Sequence, residues 1–293
     1  FPQIDGLKSN GVLQVGAIQD AGYLLVSIYD PVKGQSVVQL IQIRDEKVVK
    51  RWIPDIPSLS SVTDLSFNPA RFRIMHPLLM SDGGLVFHGL EDGPLFKINS
   101  CSQLDWVLNK EFHHAIEEDA DGNLWVSSRQ KSNYYTNLLS QRNYDDQTIT
   151  KISADGKLLF EKSVTKILED NGYFSLIFGT GRYFPDKIHL NDIQPLVFSG
   201  KYWNKGDLLL SLKHISTILL YRPSTDKVIW LKTGPWLNQH DVDVVSSSSI
   251  AVFGNDIYFH KTGRVGSMIY GHNNIYLYNF EQDSTLTPFT GVM

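Results

Sequence analysis

Of the nine histidines in this chain, five stand at comparable places: His76, the adjacent pair His113 and His114, His189, and His240. Each position lies just upstream of a short hydrophobic run, with Asn191, Gln239 and Asp241 as polar neighbours. Gathered imidazoles suit two chemistries. Neutral rings ligate zinc, copper or iron. Alternatively, one ring attacks as a nucleophile while another moves a proton. A lone histidine in a strand is ordinarily a satisfied polar core residue, and recurrence alone can reflect repeat ancestry. Here the flanks of the repeated position differ from copy to copy and are polar, which favours a site. His88, His214, His260 and His272 fall outside the repeated position and are expected to be structural or surface residues.

The elements that must bring these residues together form an internal repeat. One unit runs from Gly22-Tyr23-Leu24-Leu25-Val26-Ser27 through residues 37–43 to Val48-Val49-Lys50-Arg51-Trp52. The pattern returns at Gly84-Leu85-Val86-Phe87, at Gly122-Asn123-Leu124-Trp125-Val126-Ser127 and at Gly206-Asp207-Leu208-Leu209-Leu210-Ser211, and more weakly at Ile250-Ala251-Val252-Phe253. Short β-type runs separated by turn residues such as Asp155-Gly156 cannot bury both faces alone, and radial stacking solves this. The expected fold is therefore all-β: a single β-propeller domain over residues 1–293, with four-stranded blades. Five repeats are visible, and a further blade, where the ring needs one, is expected to be missing at the C-terminus or closed by the termini. In such a ring the strand opening each blade lines the centre, which would put the repeated histidines around one channel. A β-sandwich is the rival fold. Residues 164–170 and 192–198 read as short helices. Residues 130–147 and 169–187 read as loops over one face. The acidic run Glu117-Glu118-Asp119 with Asp121 lacks EF-hand spacing and reads as a turn.

Composition narrows the function classes. Hydrophobic residues are 42% and charged residues 20% of the chain, with a net charge of −4, so no basic field points to nucleic acid. Cys101 is the only cysteine, which excludes an intrachain disulfide and a cysteine-based metal cluster. No run approaches the length of a membrane span. The chain begins at Phe1, as expected after removal of a leader.

Several segments resemble the bacterial arylsulfotransferase family, the PAPS-independent arylsulfate sulfotransferases. They are Phe112-His113-His114-Ala115-Ile116 followed by Asp121-Gly122-Asn123-Leu124-Trp125-Val126, then His189-Leu190-Asn191-Asp192, then residues 206–218. Asp226-Lys227-Val228-Ile229-Trp230, Gln239-His240-Asp241 and Ile250-Ala251-Val252-Phe253-Gly254-Asn255 complete the order. The resemblance implies a six-bladed, exported propeller, periplasmic or secreted, that moves a sulfuryl group from a phenolic sulfate ester to a phenol without a cofactor. It implies that His240 is the nucleophile, that His189 and Asn191 hold the sulfuryl oxygens, and that either His113 or His114 acts on the phenolic oxygen. Where the family has an arginine, this chain has Lys213 in Ser211-Leu212-Lys213-His214, which keeps the charge but loses the two-pronged contact. Small phenols and their sulfates are the expected partners. The alternatives are a non-catalytic propeller that binds a ligand or protein, and a metal site of His114, His189 and His240.

Overall fold

A computed structural model describes residues 22–90, 92–131, 144–179, 185–259 and 266–288. Its regular structure is dominated by antiparallel β-strands in meanders. Among the described residues the first sheet has three strands, β1 (Tyr23–Asp30), β2 (Gln35–Gln42) and β3 (Lys47–Trp52), where four were expected of every unit. Next come β4 (Ile74–Leu79), β5 (Leu85–Gly89), β6 (Gly93–Ile98) and the long β7 (Leu104–Glu118). β7 serves two units. Its first half pairs with β6 and its second half with β8 (Leu124–Lys131), which leads on to β9 (Asp145–Ile152) and β10 (Leu158–Ser163). A fourth unit is β11 (Leu190–Pro195), β12 (Leu208–Leu212), β13 (Thr217–Arg222) and β14 (Lys227–Thr233). A fifth contains β15 (Asp241–Ser246), β16 (Ser249–Gly254), β19 (Asn274–Asn279) and β20 (Ser284–Leu286), with a ribbon of β17 (Ile257–Phe259) and β18 (Gly266–Met268) inserted.

Consecutive units meet face to face, and each contact is a separate apolar core. Val38 and Trp52 of the first unit pack on Leu85, Phe87 and Phe96 of the second. Val86 and Leu95 of the second pack with Leu124, Val126 and Ile152 of the third. Trp125 and Ile149 pack with Leu190, Leu208 and Leu219, and Leu209, Ile218 and Leu220 pack with Val242, Ile250 and Val252. Alternation along each strand makes this possible, because successive side chains point to opposite faces and each sheet therefore serves two neighbours. The opening strands of neighbouring units lie beside one another as a consequence: β1 by β4, β4 by β7, β7 by β11, and β11 by β15. Among the described residues no sheet closes on itself, and the outward faces of the first and fifth units keep Leu24, Ile28, Val245 and Phe253 exposed.

Of the two expected helices, residues 164–170 form α2 (Val164–Asp170), capped by the Ser163 hydroxyl accepting from the Lys166 amide at 3.0 Å. Residues 192–198 do not form a helix: Asp192 to Pro195 belong to β11, where Ile193 and Leu196 bury against different neighbouring units. Their apolar spacing was compatible with either state, and the sheet supplied the partners. Two further short helices, α1 (Ile56–Ser61) and α3 (Phe174–Phe178), lie in the connections. The expected loop over residues 130–147 is part strand, because Asp145 to Gln147 continue β9. Its residues 132–143 lie outside the described residues, as do 180–184 of the second expected loop and His260. The acidic run is part strand and part turn: Glu117 and Glu118 end β7, while the Asp119 carboxylate accepts from the Asp121 and Asn123 amides and pairs with Lys151 at 2.8 Å.

At the turn between β9 and β10, Gly156 has φ +82°, and a Cβ there would lie 2.8 Å from the Trp106 ring. Gly156→Ala is therefore expected to cost about 1–3 kcal/mol, from the left-handed backbone and the displaced indole together. Urea unfolding should show the loss as a lower midpoint with an unchanged slope.

Candidate functional site

Three of the repeated histidines share a backbone device. His76, His114 and His189 have φ of +43°, +63° and +53°, a region that residues with a Cβ seldom enter. At His76 and His114 the register of the opening strand against its neighbour slips, between Met75 and Leu78 and between His113 and Ile116, whereas the slip in β11, between Leu190 and Asp192, falls at Asn191, two residues after His189. These are β-bulges, which re-aim a side chain out of the ladder. His240 is reached differently. Its amide extends the ladder by donating to the Phe253 carbonyl at 2.9 Å, after Asn238 has taken the left-handed conformation.

The result is a cluster. The His114 ring centroid lies 4.9 Å from that of His189 and 6.1 Å from that of His240. His76, His114, Asn191 and His240 line one cavity of about 390 Å³, together with Ala115, Asp241, Asp243, Ala251, Phe253 and Ile275. His76, the member of the repeat without a counterpart in the resemblance, thus shares the cavity. His113 does not: it is 3% exposed, behind His114, with the two Nδ1 atoms 2.7 Å apart. Lys213 sits near enough that its charge, with burial, pushes the His240 pKa down to about 4. Burial also draws the Lys213 ammonium below its usual range, against the pull of Asp186.

Hydrogen bonding assigns the ring protons. Ser127 spends its single proton on the His113 carbonyl, so it can only accept from His113 Nδ1, 3.1 Å away. His113 therefore carries a proton on Nδ1, and His114 Nδ1 accepts from it. Held neutral far below the usual histidine range by burial and by its histidine neighbours, His114 keeps its own proton on Nε2. His189 donates from Nδ1 to the Asp186 carboxylate, which leaves a lone pair on Nε2. Burial would raise the Asp186 carboxyl, but the bond from His189 holds it below the usual carboxylate range.

Three residues of this centre were not among the sequence-derived candidates. Asp186 lies in a connection, where only its three-residue spacing from His189 could have drawn notice. His214, expected to be structural or surface, stacks on His189 at 4.4 Å and donates from Nδ1 to the Asp186 carbonyl at 2.6 Å. His88, also set aside, is 2% exposed, with Nδ1 and Nε2 each 2.7 Å from a carbonyl oxygen, those of Gly89 and His114. The bond to His114 steadies its left-handed backbone.

Among the described residues, Asp186, His189 and His214 are the group whose ligand atoms come within 4.8 Å of one another. They make a poor metal cage as they stand, because the Nδ1 atoms of both histidines are already donating to Asp186. His114, His189 and His240, the metal set considered from the sequence, do not form such a group. Among the described residues no helix is long and apolar enough to cross a membrane.

A family profile described as Arylsulfotransferase (ASST) matches residues 76–293. No curated protein matches the chain. Among solved structures, the crystal structure of a protein of unknown function from Bacteroides caccae is similar with a TM-score of 0.46 and 10% identity, covering 89% of this chain and 75% of that one.

Replacing His88 by alanine would remove the imidazole that bridges the His114 and Gly89 carbonyls, to one of which the neutral ring donates, and open a buried void. A loss of about 2–4 kcal/mol is expected, larger than for His272→Ala at the margin of the fifth unit, and read by chemical unfolding.

Proposed function

Because the chain belongs to the arylsulfotransferase family, we propose that it transfers a sulfuryl group from a phenolic sulfate ester to a phenol through His240. The observation that carries this reading is the cluster of His240, His114 and His189: the first two line one cavity, the His189 ring lies 4.9 Å from that of His114, and the Lys213 charge acts on His240. The face-to-face stack, with its opening strands side by side, favours a propeller ring of which the described residues supply five units.

The chemistry divides into two halves. In the first, His240 Nε2 attacks sulfur, an N–S bond forms, and the S–O bond to the donor's phenolic oxygen breaks. In the second, the acceptor's phenolic oxygen attacks the same sulfur and the N–S bond breaks. Splitting the transfer this way avoids a three-body encounter. His240 must be neutral to attack, and its depressed pKa keeps it so. It must also hold its proton on Nδ1. As placed, Asn255 Nδ2 lies 2.6 Å from that atom and donates to it; half a turn of the amide brings Oδ1 there to accept the Nδ1 proton and free Nε2, the arrangement that attack requires.

The proton assignments support a division of labour different from the one the resemblance implies. His189, backed by Asp186, has the free Nε2 lone pair of a general base. It takes the acceptor's phenolic proton in the second half and returns a proton to the departing phenolic oxygen in the next first half. His114, with its proton on Nε2, donates to a sulfuryl oxygen. Lys213 and the Asn191 amide N–H add positive charge and a second donor, as transferring oxyanions require.

The test is turnover of p-nitrophenyl sulfate with a phenol acceptor. His240→Ala should lose at least about 10³-fold in kcat, and Lys213→Ala about 10²-fold. Wild-type rates retained in His240→Ala would remove His240 from the mechanism, and absence of turnover in the wild type would favour a binding protein.

The pH profile checks the same assignment. Since the neutral ring is the reactive form, its protonation gives the acid limb, centred near pH 4 rather than near the ordinary histidine value of about 6.5. Initial rates should hold from neutrality to about pH 5 and fall below that, as far as protonation of His240 alone governs them.

A further inference from the structure

The connection that carries Asp186 and His189 is anchored from outside its own unit. Asp145, at the start of β9 in the third unit, donates its backbone N–H to the Pro185 carbonyl at 3.1 Å. Two residues on, the Gln147 side chain is buried at 0% exposure and reaches the same connection. Its Nε2 donates to Asp186 Oδ1 at 2.7 Å, and its Oε1 accepts from the Leu190 backbone N–H. An ionised carboxylate only accepts and a backbone N–H only donates, so the amide fits one way round. Arg129, whose charge also bears on Asp186, is committed to Asp92 at 2.8 Å and Asp145 at 3.2 Å.

These two bonds act on both halves of the aspartate–histidine pair. Asp186 Oδ2 takes the proton of His189 Nδ1, and with Oδ1 engaged by Gln147 the carboxylate cannot swing about its own axis. The Leu190 N–H belongs to the peptide unit that follows His189, and the carbonyl of that unit accepts from the Lys213 amide at 3.0 Å. The peptide is thus gripped at both ends, by β9 on one side and by the turn after β12 on the other. It is gripped where it needs to be, next to the left-handed φ of +53° at His189. His214 completes the frame, donating its Nδ1 proton to the Asp186 carbonyl at 2.6 Å and its amide to the Ile188 carbonyl at 3.1 Å.

We propose that Gln147 is a positioning residue of this site: one amide, lent by the third unit, sets the Asp186 carboxylate and the His189 backbone together and so aims the His189 Nε2 lone pair. This rests on the transfer reading and adds to it a residue that acts only through others. The bonds cross the interface between the third and fourth units, so His189 is aligned only when those two units are packed together. Outer partners of this kind fix the orientation of a functional ring without touching what the ring acts on.

The experiment replaces Gln147 by leucine, which nearly keeps the volume and removes both bonds. With p-nitrophenyl sulfate and a phenol acceptor, kcat is expected to fall about 10- to 10²-fold with KM within about twofold, since misalignment costs rate rather than binding. Asp186→Asn cuts the link through which Gln147 acts, so in that background Gln147→Leu should lower kcat by less than about twofold. Losses that multiply in the double variant, or a wild-type kcat in Gln147→Leu, overturn the proposal. NMR of the free protein labelled with ¹⁵N-histidine separates it from the transfer reading. The signal followed is the Nδ1 proton of His189, assigned by its absence in His189→Gln, with that of His113 as internal control. Its loss in Gln147→Leu with the His113 signal kept upholds the positioning role even where the wild type transfers no sulfuryl. Its retention overturns that role even where transfer is fast. A lowered urea midpoint with kcat and the His189 signal both intact makes Gln147 structural only, and overturns the proposal as well. If the leucine variant does not fold, Gln147→Asn, one methylene too short to reach both partners, takes the same measurements.

Discussion

A small antiparallel sheet with apolar side chains on both faces cannot be stable by itself, and everything in this protein follows from how that is solved. Each unit lends one face to the unit before and one to the unit after, and the four cores so formed, one for each pair of neighbouring units, hold most of the large buried side chains. At about 25 cal/mol per Å² of apolar area buried, such faces outweigh any single hydrogen bond or ion pair in the molecule. Stacking dictates that opening strands lie side by side, and that adjacency turns distant positions in the chain into one cavity.

Within that frame the site is built by local departures from regularity. Bulges at His76 and His114, and the left-handed backbone of His189 just before β11, take the imidazoles out of the alternation that would otherwise send them into the packed faces. The strain of three left-handed histidines, of the order of 1–3 kcal/mol each, is borne because the flanking ladders and the His88 bond to the His114 carbonyl over-determine the backbone. The same packing strips water from the imidazoles. That keeps His240 and His114 neutral, and lets a buried lysine and an aspartate–histidine pair act across short distances.

The repeat, the all-β class and the recurrence of histidine were legible because apolar runs and turn residues report directly on which faces must be buried. His113 and His114 could not be separated from sequence. Which of two adjacent residues faces the centre depends on a bulge, and a one-residue shift reverses a strand's faces. Residues 192–198 were misread for a related reason: Ile193 and Leu196 satisfy a helical spacing, yet they serve two different interfaces from one strand and the turn after it. His214 was missed because it comes from a turn after the second strand of its unit and reaches His189 only through tertiary packing.

The continuity of β7 has one more consequence. In a stack where each unit touches only its neighbours, opening of one unit normally leaves the others folded, and stability is close to a sum of local terms. β7 removes that independence for the second and third units, because its 15 residues are an outer strand for one and the opening strand for the other. Neither unit can fray without pulling on the ladder of its partner, so the two exchange their amide hydrogens as a single cooperative block. His113 and His114 lie within this shared strand, which makes the best-insured part of the backbone the part that carries the chemistry.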